Sequence, residues 1–528
     1  METKLHHILK NLLITILLLF ALVTCFESSA KGKDKEYFVT EFGAISDGET
    51  LNTNAIQSLI EKVNKKGGGT IVFPAGNFLS GSLVMKSNVN IHLEEGAILL
   101  GSTNPMDYPQ VEMLGRPESQ KKDDNSQIAL LVAFKANNFT ISGKGKIDGQ
   151  GRALALNIDS LHHAGVIVDP KYNYRRMRPN ETARPKLFRF SMCNNVAISD
   201  LQLSNASCWG LSFELCRNLS LDGLQLVNRA YWNNDGIDIT DCRNVQITNC
   251  NINSADDGIC LKSYYPDFCN DSIYIANCTV RSSASAIKFG TASYGGFKNV
   301  KIENIKIYDT FRSAIAIESV DGGAIENIEV SNIDAVNTGN AIFIRLGHRD
   351  GEIPGSIKNI HIHDIKVQVP FERPDINYDM RGPAVNFFHN PLPSSITGIP
   401  GFCVEDVLIE NVEITCPGKA SKGMAYVPLS RLNQVPEEIK GYPEFSMFGE
   451  LPAWGFYVRH AKGIIFKNVR MNLNEEDYRP AMVFDQADDI EIKNINLQKA
   501  DKKQIILKET KGLSADNDAK LLIRKLLN

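Results

Sequence analysis

The chain is written in short runs that alternate apolar and polar residues, broken at regular intervals by Asn, Asp and Gly. Alternation with a period of two is the pattern of half-buried β-strands, and small polar punctuation marks the turns between them. Runs of this kind start at Asn195, Asn218, Asn244, Ser272, Asn299, Asn327 and Asn359, at spacings of 23, 26, 28, 27, 28 and 32 residues. An earlier copy starts at Asn138, and later ones at Asp406, Gly463 and Asp489. A period of this length predicts the coils of a solenoid. Asn side chains stacked from coil to coil would then satisfy one another's amides. No composition break interrupts the series. One elongated all-β domain is therefore predicted over residues 36–500, followed by a tail, 501–528, that ends in a short amphipathic helix.

One segment ahead of the coils has helical spacing instead. Ile56, Leu59, Ile60 and Val63 fall on one face between Asn54 and Asn64, and Gly67-Gly68-Gly69 ends the run. A single helix before a long series of strands fits a cap over an otherwise open first coil. Two stretches, 153–182 and 418–452, are too long for coil turns and are expected to form walls or lids.

The chemistry concentrates between Asn233 and Ser263. Asp-Gly-Ile occurs at Asp235-Gly236-Ile237 and again, 22 residues on, at Asp257-Gly258-Ile259. In a solenoid this spacing puts Asp235 and Asp257 in one column on neighbouring coils, roughly 4.8 Å apart at the backbone. Asp256 adds a third carboxylate. Asp alone is an ordinary turn residue, but three so close oppose one another's ionisation. Extending the alignment gives one column of Trp209, Asp235, Asp257, Ser285, Ser313 and Asn340. Three positions on come Ser212, Asp238, Cys260, Lys288, Ala316 and Phe343; two further on come Glu214, Thr240, Lys262, Gly290, Glu318 and Arg345. Acids beside Lys262, Lys288 and Arg345 make a polar groove suited to a sugar with charge or many hydroxyls. Trp232 and its aromatic neighbours offer stacking faces.

Composition changes little of this. A net charge of -4 and a pI near 6.2 give no electrostatic case for nucleic acid. Residues 1–30 read as an export signal: Lys4 and Lys10, then an apolar run from Leu12 to Val23 too short to span a bilayer comfortably. Leu22-Val23-Thr24-Cys25 resembles a lipobox, which would attach the protein to a membrane through a lipid on Cys25, whereas Ser28-Ser29-Ala30 fits ordinary cleavage. Either way the protein is expected outside the cytoplasm, as a periplasmic or outer-membrane lipoprotein or a secreted monomer. Cys193, Cys216 and Cys242 share one offset in successive coils, which suits buried free thiols. With no CxxC and almost no His near the acids, neither a metal nor a cofactor is expected.

The Phe-Gly-Ala start, the Gly-Gly-Gly before a strand and the Pro-Ala-Gly turn resemble the N-terminal cap of pectin-degrading right-handed parallel β-helices. Over residues 36–500 the chain resembles glycoside hydrolase family 28, the polygalacturonases and rhamnogalacturonan hydrolases. Asn233-Asn234-Asp235 stands where that family has Asn-Thr-Asp, and Asp256-Asp257 where it has Asp-Asp. The resemblance implies a pectic substrate, Asp256 as the general acid, and Asp235 and Asp257 holding and deprotonating a water. Inverting hydrolysis needs an acid and a base roughly 6.5–9.5 Å apart, and crowding should raise at least one of the acids' pKa values.

Departures from the family pattern are as informative. Ala284-Ser285-Ala286 replaces Gly-His-Gly, and Ala316-Ile317-Glu318 replaces Arg-Ile-Lys, whose basic residues grip the galacturonate. Arg345, in the column of Glu318, is expected to neutralise it and leave Lys288 as the free cation. Weak activity on plain polygalacturonan follows from that expectation. Asp238, Lys262, Lys288, Glu318, Arg345, Ser285 and Trp232 are the expected substrate contacts, and the two long stretches predict attack at chain ends. A lyase using the same acids and Lys288, or a non-catalytic carbohydrate-binding solenoid, are the alternatives.

Overall fold

The computed structural model describes residues 35–120, 126–375, 392–420, 427–497 and 504–526. Cys25 and the leader lie outside the described residues.

Each coil carries up to three strands that pair in parallel with those of the next coil. Lys186–Ser191, Asn194–Ser199 and Gln202–Ser204 stack on Leu211–Glu214, Arg217–Asp222 and Gln225–Asn228. Those stack in turn on Ile237–Thr240, Arg243–Thr248 and Asn251–Ser254. The fold is a right-handed parallel β-helix, the hand that parallel crossovers take. Inward positions form continuous ladders, as in Val196, Leu219, Val245, Ile273, Val300, Ile328, Ile360, Val407 and Ile464. A β-branched or Leu side chain on every coil packs against the same kind above and below, so the core is a rod of aliphatic stacks.

The punctuating Asn residues have two tasks. Asn195, Asn218, Asn244, Asn299, Asn327 and Asn359 all sit at φ between 53 and 57°, the left-handed region Asn tolerates. Their amides link coils: Asn218 donates to Asn195 at 3.1 Å, Asn244 to Asn218 at 2.6 Å, and Asn359 to Asn327 at 2.6 Å. At Ser272 the ladder breaks, and Asn299 donates to Asp271 instead, at 2.8 Å. Cys193, Cys216, Cys242, Cys250 and Cys278 are buried free thiols in the core stacks.

The capping helix is Thr53–Lys65, with Ile56, Leu59, Ile60 and Val63 buried against the first coil. The other end differs from expectation. Strand stacking does not stop at residue 500: Ile505–Lys508 pairs with Met482–Asp488, and Ile523–Lys525 pairs with Ile505–Lys508. The tail is thus the last of the solenoid. Its helix is short, Asn517–Leu522, and Asp516 caps it by accepting from the Ala519 N–H at 2.8 Å.

Of the second long stretch, residues 421–426 lie outside the described residues. The first contains a helix, Gly151–His163. The second packs Leu432, Val435, Phe445, Phe448 and Leu451 against Ala316, Phe343, Tyr457, Val483 and Ile506 of the sheet beneath. A further crossing was not apparent in the sequence. Arg116 reaches Glu214 at 2.9 Å, and the N–H of Gln120 donates to the Tyr264 carbonyl at 3.0 Å.

Candidate active site

The strand carrying Ile237–Thr240 pairs residue for residue with Ile259–Ser263, Ile237 against Ile259 and Asp238 against Cys260. That register puts Asp235 beside Asp257, as the spacing requires. The column continues through Ser313 opposite Asn340. The next column runs Ser212, Asp238, Cys260, Lys288, Ala316 and Phe343. The third is interrupted: register shifts between Leu261 and Ser263, so Lys262 has no regular partner at Gly290.

Asp235, Asp256 and Asp257 come together on the wall of one cleft of about 580 Å³, with Lys262, Trp209 and Asn233. The backbone that carries them is braced from below. Asn228 donates to the carbonyls of Asp235 and Cys208, at 2.8 and 3.1 Å. Asn234 donates to the carbonyls of Ala206 and Cys208, and the N–H groups of Ala255 and Asp256 donate to its own carbonyl. Ser254 and Ser282 donate to the Asp256 carbonyl at 2.7 and 2.6 Å. Fully buried Arg184 holds Asn233 by its side chain at 2.8 Å. These supports were missed in the sequence; the Asn pair beside the first Asp was their one visible trace. Backbone this constrained fixes the positions from which the acids project.

Charge is divided unequally among the acids. Burial pushes Asp235 well above the ordinary carboxylate range, and the charges of Asp238 and then Asp256 add to it against Lys262. Burial pushes Asp257 the same way, but Lys288, then Lys262 and Arg312, outweigh it and hold this carboxyl at about 2. Lys288 Nζ stands 3.4 Å from Asp257 Oδ2, and the N–H of Ser285 donates to Oδ1 at 3.1 Å. Of these two, Asp235 is the one that holds a proton more readily and Asp257 the one that stays ionised.

The other expected contacts divide. Lys262 lines the cleft, 3.4 Å from Asp235 and 3.2 Å from Asp238. Asp238 is fully buried behind it, so it braces Lys262 rather than meeting sugar. Ser285 is buried and acts through its N–H. Lys288 is 1% exposed, sealed between Asp257 and Glu318 and beneath the Tyr442 ring. Glu318, also 1% exposed, lies 3.8 Å from Lys288, and burial raises its carboxyl to about 7. Arg345 does not neutralise it. Arg345 donates instead to the carbonyls of Gly398, Glu437 and Glu438 under the second long stretch, with Phe448 against its guanidinium. Lys288 is accordingly not a free cation. Trp232 carries Arg178 and Arg176 at 4.2 and 5.8 Å, whereas Trp209, in the column itself, lies in the cleft with Lys262 at 4.7 Å. Among the described residues no three His, Cys, Asp or Glu side chains gather as a metal site.

The family model for glycosyl hydrolases family 28 matches residues 68–373, a span that contains the whole acid group. The chain belongs to this family. Members are glycosidases, and this chain is an O-glycosyl hydrolase of the family. It is 25% identical over 384 residues to a probable polygalacturonase of Vitis vinifera, covering 71% of this chain and 69% of that one. It is 25% identical over 381 residues to an exo-poly-alpha-D-galacturonosidase of Dickeya chrysanthemi, covering 62% of each. In fold it matches the family 28 exopolygalacturonase of Yersinia enterocolitica, with a TM-score of 0.65 at 21% identity over 89% of this chain and 79% of that one. An exopolygalacturonase from Thermotoga maritima matches with a TM-score of 0.60 at 20% identity, over 84% and 93%.

Proposed function

We propose that this family 28 hydrolase is an exported enzyme that removes sugars from the ends of pectic chains with inversion at the anomeric carbon. The observation that carries the reading is the set of three braced carboxylates on adjacent coils, one of them held ionised, on the wall of a bounded cleft. Asp256 donates a proton to the leaving glycosidic oxygen. Asp257 takes a proton from water as that water attacks the anomeric carbon from the opposite face. Asp235, which holds a proton more readily, fixes the same water. One C–O bond forms, one breaks, and each acid returns to its starting state by exchange with solvent.

Action at chain ends is supported by the walls. The second long stretch covers the sheet from Ala316 onward, and Arg116 and Gln120 cross over Glu214 and Tyr264 on the other side. The named activities of the Dickeya and Yersinia relatives point the same way. Export is supported by the basic-then-apolar leader, and a lipid on Cys25 by the lipobox-like run before it. Digestion of a panel of pectic oligosaccharides, with the anomer of the fresh product read by NMR, tests the reading. Inverted product from the panel is expected. Retained configuration, or an unsaturated ultraviolet-absorbing product, contradicts it.

A further inference from the structure

Away from the three acids, one row of side chains along the solenoid carries an irregularity of charge. Past the turn that follows Ile237–Thr240, the next strand of the coil begins with Arg243. Parallel pairing stacks this residue on its equivalents in the other coils. The row reads Asn194, Arg217, Arg243, Asp271, Lys298, Glu326, Lys358, Glu405, Lys462 and Asp488. From Arg243 onward the sign alternates at every coil, so each cation has an acid beside it. Arg243 lies 3.6 Å from Asp271, Lys298 lies 3.8 Å from the same carboxylate, and Lys358 lies 2.9 Å from Glu326. Arg217 breaks the rule.

Arg217 stands opposite Arg243 in register, roughly 4.8 Å away at the backbone, and like charges directly opposite are destabilising. Its neighbour on the other side is Asn194, and it has no acid partner among the described residues. A cleft of about 460 Å³ opens here, lined by both arginines, Lys298, Asp267 and Phe268. The turn that carries Asp267 and Phe268 is firmly mounted. Buried Asp241 accepts from Ser263 Oγ and from the N–H groups of Tyr264 and Tyr265, the latter two at 2.7 and 3.3 Å. Phe268 packs edge-on against Tyr265 at 5.9 Å and keeps 39% of its surface exposed. The row thus lacks an acidic rung where the cleft, an aromatic ring and two guanidinium groups meet.

We propose that this cleft is a second, non-catalytic saccharide site, where a carboxylate of an acidic polysaccharide fills the missing rung between Arg217 and Arg243 and Phe268 packs on a neighbouring sugar ring. Guanidinium groups present N–H donors in a planar fork that matches a carboxylate. The acids present argue for a sugar over a denser anion. Asp267 in the cleft wall and Asp241 behind it oppose a polyphosphate, whereas a sugar spaces its carboxylates with hydroxyls that Asp267 can accept from. The site goes beyond the exo-hydrolase reading and does not depend on it. Its use is retention: the coils that carry Asp235 and Asp257 also carry this cleft past the next turn, so a chain held here stays near the acids at raised effective concentration.

The test is calorimetric titration of the full chain, in an Asp256→Asn background that spares the ligand, with trigalacturonic acid, the same trisaccharide with its carboxyls reduced to alcohols, and inorganic phosphate. Arg217→Glu is the decisive variant, because it supplies the acidic rung from the protein itself. It should remove one trigalacturonate site per chain while the melting temperature holds or rises, since the like-charged pair is gone. Arg243→Gln should weaken that site about tenfold, the size of a lost hydrogen bond to a charged group. Phe268→Ala should weaken it about fivefold, as loss of a ring contact does. The reduced trisaccharide should not fill it. With Asp256 restored, Arg217→Glu should raise KM on a pectic polymer and leave kcat/KM on the trisaccharide within about twofold, since a charge removed outside the reacting site does not enter the transition state. An unchanged number of sites in Arg217→Glu, or a site that survives carboxyl reduction, overturns the proposal. Phosphate that competes there as tightly as the acid sugar overturns it too, since the pair would then bind any small anion.

Discussion

Two halves of one outward column show how a repeated scaffold divides its labour. On the coils of Asp238, Cys260 and Lys288 the column is polar and backs the cleft. From Ala316 through Phe343, Ser395, Tyr457, Val483 and Ile506 the same face is apolar but for the one buried Ser, and its apolar residues pack with Phe445, Phe448 and Leu451. Parallel pairing runs through both halves. What changes is the cover. The polar half holds buried charged groups that back the acids of the cleft, and the covered half is a second core that fixes a wall. A β-helix can thus place a reaction at any coil, and the long stretches choose which.

The comparison breaks first at the acids. Asp256→Asn or Asp257→Asn should cost about 10²–10⁴-fold in turnover, the usual reach of acid–base catalysis, with the melting temperature essentially kept. Near wild-type turnover in both variants would remove the polar half's role. On the covered half the order reverses. Phe343→Ala, at a site 1% exposed, should cost about 3–5 kcal/mol of stability by opening a cavity, read by denaturant unfolding. Its kcat should stay within a fewfold of wild type at temperatures where it is folded. A stable variant with lost turnover would mean that the covered half touches the reaction.

The boundary between the halves gives a smaller effect. Lys288 is the strongest of the charges holding Asp257 down at about 2. Its removal raises the pKa of a base that must be ionised, so the acid limb of kcat/KM in Lys288→Met should move to higher pH. Rates well above that limb should change less. Lys262, Arg312, Asp235, Asp238, Asp256 and Cys260 remain around Asp257, and Glu318 and Tyr442 around the vacated ammonium. Pairing Lys288→Met with Glu318→Gln relieves the orphaned carboxylate and serves as the folding control. An unmoved acid limb in a folded double variant would show that Lys288 is structural only.

Much of this was legible in the sequence because a solenoid turns spacing into adjacency. The 22 residues from Asp235 to Asp257 are one coil, so their proximity, and the columns through Lys288 and Glu318, could be read by counting. Cover could not. Phe445 joins the same core as Phe343 across about a hundred residues of chain, and no local pattern announces which column it will bury. That is why Arg345 and Glu318 looked like neighbours free to pair, when one is drawn to carbonyls under the wall and the other to Lys288. The bulge at Leu261–Ser263 hides for the same reason: counting assumes a regular register. Trp232 and Trp209 show the limit at a single side chain, since both fall near the acids in sequence and only the one in the column enters the cleft. Arg349 lies beyond a strand end, outside any column, and enters the cleft held by Asp321 one coil before it.

The central claim is that the covered half closes the groove so that only chain ends reach Asp256 and Asp257. Product sizes in the first few per cent of digestion of a soluble pectic polymer, taken together with viscosity, test it most directly. The account predicts one smallest product from the outset, with viscosity almost unchanged. A ladder of mixed lengths and a rapid fall in viscosity would show an open groove and contradict it.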